Sequence, residues 1–203
     1  MANKLKTFLN RLFFTKIKQF GGTNNIEISK SAYLRKVKII IYGSENTVVI
    51  KDNTYLHNVK IIIGFKDCHI NGCKITIGED TSFNSAYMQM GENDSTLTIG
   101  RNCMFSFNIE ISCTDTHSIT DLNGNLLNKG NNIEIGDNVW VCKNSVILKN
   151  TKISNNCIVA QGSIITGKFD KNNCVLAGIP AKIVKENIIW SRKRPQNFLD
   201  NGE

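Results

Sequence analysis

The stretch IGDNVWVCKNSVILKNTKISNNCIVAQGSIITG, residues 135–167, decides the fold because three kinds of residue recur in it every six positions. The aliphatic positions are Ile135, Val141, Ile147, Ile153, Val159 and Ile165. Mostly small residues lie four places after them, at Val139, Ser145, Thr151, Cys157 and Ser163. Asn138, Asn144, Asn150, Asn156 and Gly162 lie three places after them. This period fits neither an α-helix, with about 3.6 residues per turn, nor a simple strand, with a period of about two.

A period of six predicts short strands joined by tight corners, with three strands closing one coil. The aliphatic residue fills the interior of each face, and the small residue packs beside it near the corner. Asn and Gly suit the corner because they tolerate a positive φ better than other residues do. Stacked coils share backbone hydrogen bonds along the axis, so no single coil is stable alone.

The same pattern continues upstream with more irregularity. Further interior positions are Ile50, Leu56, Ile77, Phe83, Ile99, Phe105 and Ile111, and further corners are Asn102 and Asn108. The elements Ile75-Thr-Ile77-Gly, Leu97-Thr-Ile99-Gly and Ile133-Glu-Ile135-Gly each mark the start of a new coil. The sequence therefore predicts a solenoid of roughly five to seven coils between about residues 24 and 180.

The repeat is interrupted between Ile99 and Ile135. Residues 116–132 are polar and rich in turn-forming residues, which predicts a loop that leaves the coil wall. Long excursions from a regular scaffold usually carry function. His117 opens this loop, and Asp115 precedes it at a spacing that places both side chains on one face of a strand. Imidazole accepts a proton near neutral pH, so His117 is the candidate general base.

Two motifs that flank the loop carry a resemblance to a known family. Ile111-Ser-Cys-Thr-Asp-Thr-His117-Ser-Ile and Ile135-Gly-Asp-Asn-Val-Trp140-Val resemble the hexapeptide-repeat O-acetyltransferases. The Asp-x-His-Ser-Ile form, with Asn187-Ile-Ile-Trp190, is similar to the capsule, sialic-acid and O-antigen O-acetyltransferases. The resemblance covers about residues 75–190 and implies an all-β fold, a left-handed parallel β-helix.

The resemblance implies an acetyltransferase that uses acetyl-CoA as co-substrate. His117 would take the proton of a sugar hydroxyl that attacks the thioester directly, and backbone N–H groups would stabilise the oxyanion. Trp140 would line the channel for acceptor and coenzyme, and Asp115 would complete the catalytic set. The implied coenzyme-binding residues are Lys143, Ala160, Gln161, Gly162, Thr166, Lys182 and Lys185. The resemblance also implies a homotrimer with the site between neighbouring prisms.

The implied acceptor is a hydroxyl of a capsular or surface polysaccharide, and the net charge of +8 suits an acidic sugar such as sialic acid. Two other interpretations stay open. One is N-acetylation of an amino-sugar nucleotide, although no Gly-rich βαβ start is present here. The other is a β-helix that binds glycan without reacting, which unchanged function in a His117→Ala variant would favour. A hexapeptide carbonic anhydrase is disfavoured because the three histidines lack the spacing of zinc ligands.

The two ends of the chain are predicted to be additions to one domain. We expect the β-helix over residues 24–184 and a C-terminal helix or arm over residues 185–203. Residues 1–23 form a basic segment, in which residues 4–20 place apolar side chains at helical intervals and contain no acid. The predicted amphipathic helix would cap the first coil or lie on an anionic membrane surface.

Composition argues against several classes of protein. No run approaches the ~20 apolar residues of a membrane span, and lysines and an arginine interrupt the N-terminal apolar residues, so we expect a cytoplasmic protein. No nucleic-acid-binding motif accompanies the positive charge. The seven cysteines form no C-x-x-C pair, so we expect no metal and interpret them as reduced, buried small hydrophobes.

Overall fold

The computed structural model describes residues 12–130 and 132–199 and shows a left-handed parallel β-helix of three sheets. Sheet A contains β1 (Leu12–Phe13), β4 (Tyr33–Arg35), β7 (Tyr55–His57), β10 (Ser82–Phe83), β13 (Met104–Phe105), β16 (Trp140–Val141), β19 (Ile158–Val159), β22 (Val175–Gly178) and β23 (Ala181–Lys185). Sheet B contains β2 (Lys16–Phe20), β5 (Lys38–Tyr42), β8 (Val59–Ile63), β11 (Ala86–Met90), β14 (Ile109–Ser112), β17 (Val146–Leu148) and β20 (Ile164–Ile165). Sheet C contains β3 (Asn25–Ile28), β6 (Thr47–Ile50), β9 (Lys74–Ile77), β12 (Thr96–Ile99), β15 (Ile133–Ile135), β18 (Lys152–Ile153) and β21 (Lys168–Phe169). A short helix, α1 (Pro195–Leu199), follows the sheets.

Each coil contributes one strand to each sheet, in the order A, B, C. Because sheets B and C have seven strands each, the described strands form seven coils before β22. Neighbouring coils pair in parallel, and β23 then turns back to pair antiparallel with β22. The predicted fold class is confirmed, at the upper end of the predicted number of coils.

The six-residue tracks mark the interior as predicted. The aliphatic track from Ile135 to Ile165 is at most 1% exposed, and the small residues four places on are buried beside it. Three of those small residues carry hydroxyls. Ser145 donates to the Cys142 carbonyl at 2.8 Å, Thr151 donates to the Ile165 carbonyl at 3.2 Å, and Ser163 Oγ accepts the Gly178 N–H at 3.2 Å. Their burial therefore leaves no unpaired hydroxyl in the narrow corners.

The corners have the predicted backbone conformation. Asn138, Asn144, Asn150 and Asn156 have φ between 55° and 63°, and Gly162 has φ 73°. Their side chains also bond from coil to coil, which the period alone does not predict. At the corner between sheets C and A, the Nδ2 atom of Asn102 donates to Asn138 at 3.0 Å, and that of Asn138 donates to Asn156 at 2.9 Å.

The coils are of two sizes. In the wide coils, residues 12–112, paired residues are typically 22 positions apart, as between Phe83 and Phe105. In the narrow coils, residues 133–178, they are 18 apart, as between Val141 and Val159. The sheet B strands β2, β5, β8 and β11 of the wide coils have five residues each, whereas β17 has three and β20 has two. Sheet B is therefore a broader surface in the wide coils.

The helix predicted over residues 4–20 is wrong for residues 12–20. These residues form β1 and β2, which pair in parallel with β4 and β5, so the β-helix begins well before residue 24. The open edge of the next coil explains the difference, because strand pairing satisfies its backbone groups, as when the Lys16 N–H donates to the Val37 carbonyl at 2.8 Å. Residues 1–11 lie outside the described part of the chain.

The C-terminal segment packs on the coils as an arm, as predicted. Trp190 is buried, and its Nε1 donates to the Asn138 carbonyl at 2.6 Å. Arg192 donates to Ser82, Asn102 and Cys103 at 2.8–3.2 Å. The exposed guanidinium therefore joins the arm to two adjacent coils, those of β10 and β13.

The cysteines agree in part with the expectation that all seven are buried, because Cys68 is exposed and Cys142 is half-buried. All seven cysteines are free, and the buried ones are Cys73, Cys103, Cys113, Cys157 and Cys174. In residues 12–130 and 132–199, no group of three or more possible metal ligands lies together. No helix of that part of the chain is long and apolar enough to cross a membrane.

Candidate active site

The predicted loop over residues 116–132 leaves the solenoid between β14 of sheet B and β15 of sheet C. The loop has internal order of its own. Thr120 and Leu126 form an antiparallel bridge, and the Asp121 carboxylate accepts the N–H groups of Asn123 and Asn125 at 2.9 and 2.8 Å. The excursion is therefore a folded element that fixes the direction of its first residues.

Residues 115–117 form a tight turn rather than the strand that the sequence predicts. The His117 N–H donates to the Asp115 carbonyl at 2.7 Å, and Thr116 between them has φ 68°. A positive φ is an outlier for a β-branched residue, and such strain is concentrated at functional sites. Residues 115–117 do not lie on a strand, so the expected position of the Asp115 and His117 side chains on one strand face is wrong.

The exposed His117 lines a cavity of about 190 Å³ at the base of the loop. The other lining residues are Gly91, Glu92, Thr114, Thr116, Ser118, Leu126 and Asn128. The loop thus forms one wall of the cavity and the coil beneath forms the other. An imidazole in this position is open to a ligand and is held on an ordered backbone, as a general base requires.

The Asp115 carboxylate bonds the loop and the next coil instead of the imidazole. It accepts from the Lys149 Nζ at 2.7 Å and from the Asn128 Nδ2 at 2.9 Å. These hydrogen bonds, that of Lys149 first, lower the pKa of Asp115 below its ordinary value. Asn128 Nδ2 also donates to the His117 carbonyl at 2.8 Å, and Asn128 Oδ1 accepts the Ile119 N–H at 2.7 Å.

Asp115, Asn128 and Lys149 therefore form one network, called the loop clamp below. The Lys149 side chain is only 12% exposed, and its Nζ also donates to the Asn128 carbonyl. On the opposite side, the Glu92 carboxylate accepts the Gly130 N–H near the end of the loop. The clamp and Glu92 tie both ends of the loop to the solenoid.

Trp140 does not lie at the His117 cavity of the same chain. It is on β16 of sheet A, whereas the loop leaves from the corner between sheets B and C. Its ring packs against that of Trp190, with 5.9 Å between centroids and 42° between planes. Within one chain, Trp140 is a support for the C-terminal arm.

Most of the predicted coenzyme residues gather at the corner between sheets A and B. Ala160, Gln161 and Gly162 form this corner in the last narrow coil, directly above Lys143, whose carbonyl accepts the Gly162 N–H at 3.1 Å. An ideal Cβ at Gly162 would meet no heavy atom within 4 Å, so the outside of this corner is open. The corner therefore leaves room for a ligand to approach the backbone closely.

The other three predicted coenzyme residues are divided. Lys182 pairs with Ala177 beside that corner, where the Gly178 N–H donates to Ser163 Oγ at 3.2 Å. Thr166 follows β20 at the opposite edge of sheet B, two coils above the start of the His117 loop. Lys185 pairs with Val175 at the far end of β23, away from the other predicted contacts.

The outer face of sheet B joins these groups. The open corner lies along one of its edges, and Thr166, the loop clamp and His117 lie along the other. Between them, the half-buried side chains of Val146, Leu148 and Ile164 give an apolar strip. A long ligand with an apolar arm can cross this strip from the open corner towards His117.

The described cysteines offer no nucleophile at this site. Cys113 lies in the core beneath the loop, and burial raises its pKa to about 12. Burial also raises the pKa of Cys142 on the neighbouring coil. A thiol attacks in its deprotonated form, so neither Cys113 nor Cys142 is suited to act as a nucleophile.

Asn128, Lys149, Glu92 and the strained Thr116 are site residues that sequence reasoning missed. Asn128 is one of several asparagines in the loop, and Lys149 occupies an ordinary outward position of the repeat. Neither position has a spacing that sets it apart. Only the path of the loop brings them to Asp115 and to the His117 backbone.

Known proteins resemble this chain in sequence and in structure. Residues 132–167 match the family described as bacterial transferase hexapeptide (six repeats). The polysialic acid O-acetyltransferase of Escherichia coli O1:K1 / APEC is 32% identical over 132 residues, which are 65% of this chain and 43% of that protein. The chain therefore spans less than half of the length of this curated relative.

Two solved structures extend the likeness over nearly the whole chain. The polysialic acid O-acetyltransferase OatWY superposes with a TM-score of 0.78 at 30% identity, over 92% of this chain and 96% of that one. The polySia-specific acetyltransferase NeuO superposes with a TM-score of 0.77 at 28% identity, over 93% of this chain and 78% of that one. The likeness therefore includes the wide coils, which the six-residue repeat matches poorly.

Proposed function

The chain belongs to the family of hexapeptide-repeat acetyltransferases, and we propose that it transfers the acetyl group of acetyl-CoA to a sugar hydroxyl of an acidic polysaccharide built from sialic acid. The observation that carries this proposal is the position of His117. An exposed imidazole follows a strained residue, on a clamped loop, in a chain that superposes on OatWY over 92% of its length. The net charge of +8 supports an acidic acceptor.

The proposed reaction is a single direct transfer. The His117 imidazole takes the proton of the acceptor hydroxyl while its oxygen forms a bond to the thioester carbonyl carbon. The C–S bond then breaks, the acetyl ester is released, and the proton passes from His117 to the thiolate of coenzyme A. The high pKa of buried Cys113 favours this route over transfer through an acetyl-cysteine.

Acetyl-CoA fits the open corner of sheet B. The pantetheine arm is long and mainly apolar, which suits the strip of Val146, Leu148 and Ile164. The backbone at Gly162 is accessible there, and the exposed Lys143 and Lys182 offer positive charge to the phosphates. We also propose a homotrimer located in the cytoplasm, in which a second copy completes the wall of the site and brings Trp140 to it.

The test is thiol release from acetyl-CoA with purified protein and polysialic acid, with dextran as the neutral control polymer. We expect release only with polysialic acid, together with acetyl esters on the polymer by NMR. His117→Ala should lower kcat by about 10²–10⁴-fold, the usual contribution of a positioned base. His69→Ala is the comparison variant, because His69 is also exposed but lies between β8 and β9, two coils before the coil from which the loop leaves.

Equal loss in His117→Ala and His69→Ala would contradict the assignment of the base. Release with dextran alone would refute the acidic acceptor and leave the acetyltransferase reaction in place.

A further inference from the structure

One face of the wide coils carries a row of lysines that the transfer reaction does not use. On sheet B, Lys16 pairs with Lys38, and Lys38 pairs with Lys60. All three side chains are exposed, and Lys18 is exposed two residues along β2. Adjacent strands are about 4.8 Å apart, so the three ammonium groups follow a line of about 10 Å parallel to the solenoid axis.

The lysines of this row form no salt bridge with the described part of the chain. Like charges directly opposite one another on paired strands destabilise a sheet. The four salt bridges of residues 12–130 and 132–199 all lie elsewhere. Lys60 lies over the Tyr87 ring at 5.3 Å, which is an aromatic contact and adds no negative charge. A row of this kind is stabilised when a ligand with regularly spaced negative charges lies along it.

The same face also offers aromatic surface. At the other end of the strands, Phe20 pairs with Tyr42, and their rings stack with 4.8 Å between centroids. Between the two columns lies a cavity of about 180 Å³ lined by Lys16, Lys18, Lys38 and Ile40. Aromatic rings pack against the apolar faces of sugars, and ammonium groups bind their carboxylates.

The lysine row points towards the active site. Along sheet B, Lys60 is followed by Tyr87 and then by Glu110, in the coil from which the His117 loop leaves. At about 4.8 Å per strand, Lys60 lies about 10 Å below that coil and Lys16 about 19 Å below it. A polymer that follows the row to Lys60 therefore ends about 10 Å below the coil of the His117 loop, on the same sheet.

We propose that this face of sheet B, defined by Lys16, Lys18, Lys38 and Lys60, binds several consecutive acidic sugars of the acceptor polymer while another sugar of the same polymer lies at His117. The inference rests on the proposed function for the identity of the polymer. The narrow row along the axis favours a single extended polyanion over a flat anionic membrane. In this arrangement the wide coils bind the acceptor, and the narrow coils bind the acetyl donor.

The test is direct binding of fluorescently labelled polysialic acid, without acetyl-CoA, to the full-length protein. The double variant Lys38→Gln/Lys60→Gln is compared with Lys51→Gln/Lys74→Gln. The control pair is also exposed and removes the same charge, but it lies after β6 and on β9, on sheet C. We expect the lysine-row variant to raise Kd by about tenfold, the order of magnitude of two solvated charge contacts. The control should change Kd by less than about twofold.

Kinetics and salt give two further readouts. The KM for long polysialic acid should rise in parallel with Kd, while the KM for acetyl-CoA stays unchanged. The salt dependence of Kd should be weaker in the lysine-row variant than in the control. A wild-type protein that binds the polymer but releases no thiol would refute the proposed reaction and leave the binding face intact.

Three results would overturn the inference. Equal shifts of Kd in the two double variants would show that net charge alone acts. Binding of wild-type protein to phosphatidylglycerol vesicles but not to polysialic acid would assign the row to membranes. A change of mass by light scattering in the lysine-row variant, with unchanged Kd, would make the face a contact between copies of this chain.

Discussion

The wide and narrow coils differ in diameter and in the number of side chains that each strand buries. In the narrow coils most strands bury one aliphatic residue beside a small corner residue, as β20 does with Ile165 and Ser163. In the wide coils a sheet B strand buries several, as β11 does with Ala86, Met88 and Met90. The interior of the wide coils is therefore larger, and bigger side chains fill it, including Phe83 and Phe105 stacked 4.0 Å apart.

Under the proposed function, the diameter of the coils determines which ligand they bind. Narrow coils place accessible corners close together, which suits a coenzyme that crosses from one edge of sheet B to the other. Wide coils offer a broad and nearly flat sheet B, which suits a polymer. The His117 loop leaves at the change of diameter, between β14 and β15, which in the proposed reaction places it between the acetyl donor and the acceptor.

The largest expected effect is on the core at this change of diameter. We expect Phe105→Ala to lower the free energy of unfolding by about 3–5 kcal/mol, because it removes a fully buried ring that stacks on Phe83. Val141→Ala, at the paired position of the first narrow coil, should cost about 2 kcal/mol for two buried methyl groups. Urea denaturation of both variants measures the difference. Equal costs would mean that the two interiors are packed alike.

The narrow coils are the part of the fold that sequence reasoning describes well. In these coils the same residue type recurs at each position of the repeat, which makes the pattern easy to recognise. It recurs because each face has room for one aliphatic side chain and each corner needs a positive φ. The wide coils hide the period because their strands differ in length. Residues 12–20 have helix-like spacing of apolar side chains, yet they form strands, because pairing with the next coil outweighs local periodicity.

The sequence predicts those parts of the candidate site that depend only on their position along the repeat. The loop and His117 stand out because they interrupt a regular pattern. The partners of Asp115 do not, since Asn128 comes from within the loop and Lys149 from the next coil. Trp140 is predicted at the acceptor and coenzyme channel. Its outward position on a strand is compatible with such a site, but the sequence does not reveal that Trp190 packs against it.

A smaller effect is expected at the corners, where the two regions differ in side-chain bonding. Asn138 has φ 55° and bonds asparagines in the coils on both sides, so Asn138→Ala should cost about 2–3 kcal/mol. Asn58, in a wide coil, has φ 51°, and no side-chain hydrogen bond of it is seen among residues 12–130 and 132–199. Asn58→Ala should therefore cost only about 1 kcal/mol.

Glycine substitutions separate the two contributions at these corners. Asn138→Gly keeps the positive φ but loses the side-chain hydrogen bonds to the asparagines of the neighbouring coils. It should therefore lower the free energy of unfolding by about half as much as Asn138→Ala does. Asn58→Gly should be close to neutral. Thermal and urea unfolding of the four variants would measure this, and a costly Asn58→Gly would show that corners of the wide coils depend on their side chains as well.

The smallest expected effect concerns Asp115, which links the last wide coil to the first narrow coil through Lys149. Because its pKa is lowered in the folded protein, the clamp is fully present above the ordinary carboxyl pKa and is lost only as the pH falls through the lowered value. Between about pH 5 and 9 the clamp is therefore constant. Asp115→Asn keeps the shape and removes the charge, so kcat should fall by about threefold equally across that range.

The pH–rate profile distinguishes this positioning role from a direct one. The sequence spacing suggests that Asp115 orients the imidazole and stabilises its protonated form. In that case Asp115→Asn would shift the acidic limb of the pH–rate profile as well as lower the maximal rate. A uniform decrease is expected instead, because the carboxylate reaches His117 only through Asn128 and the backbone. Asn128→Asp tests the clamp from its other partner. It keeps the size of the side chain and replaces the Nδ2 donor with a second carboxylate. It should reduce kcat at least as much as Asp115→Asn does, and a normal rate in Asn128→Asp would show that the clamp does not position the loop.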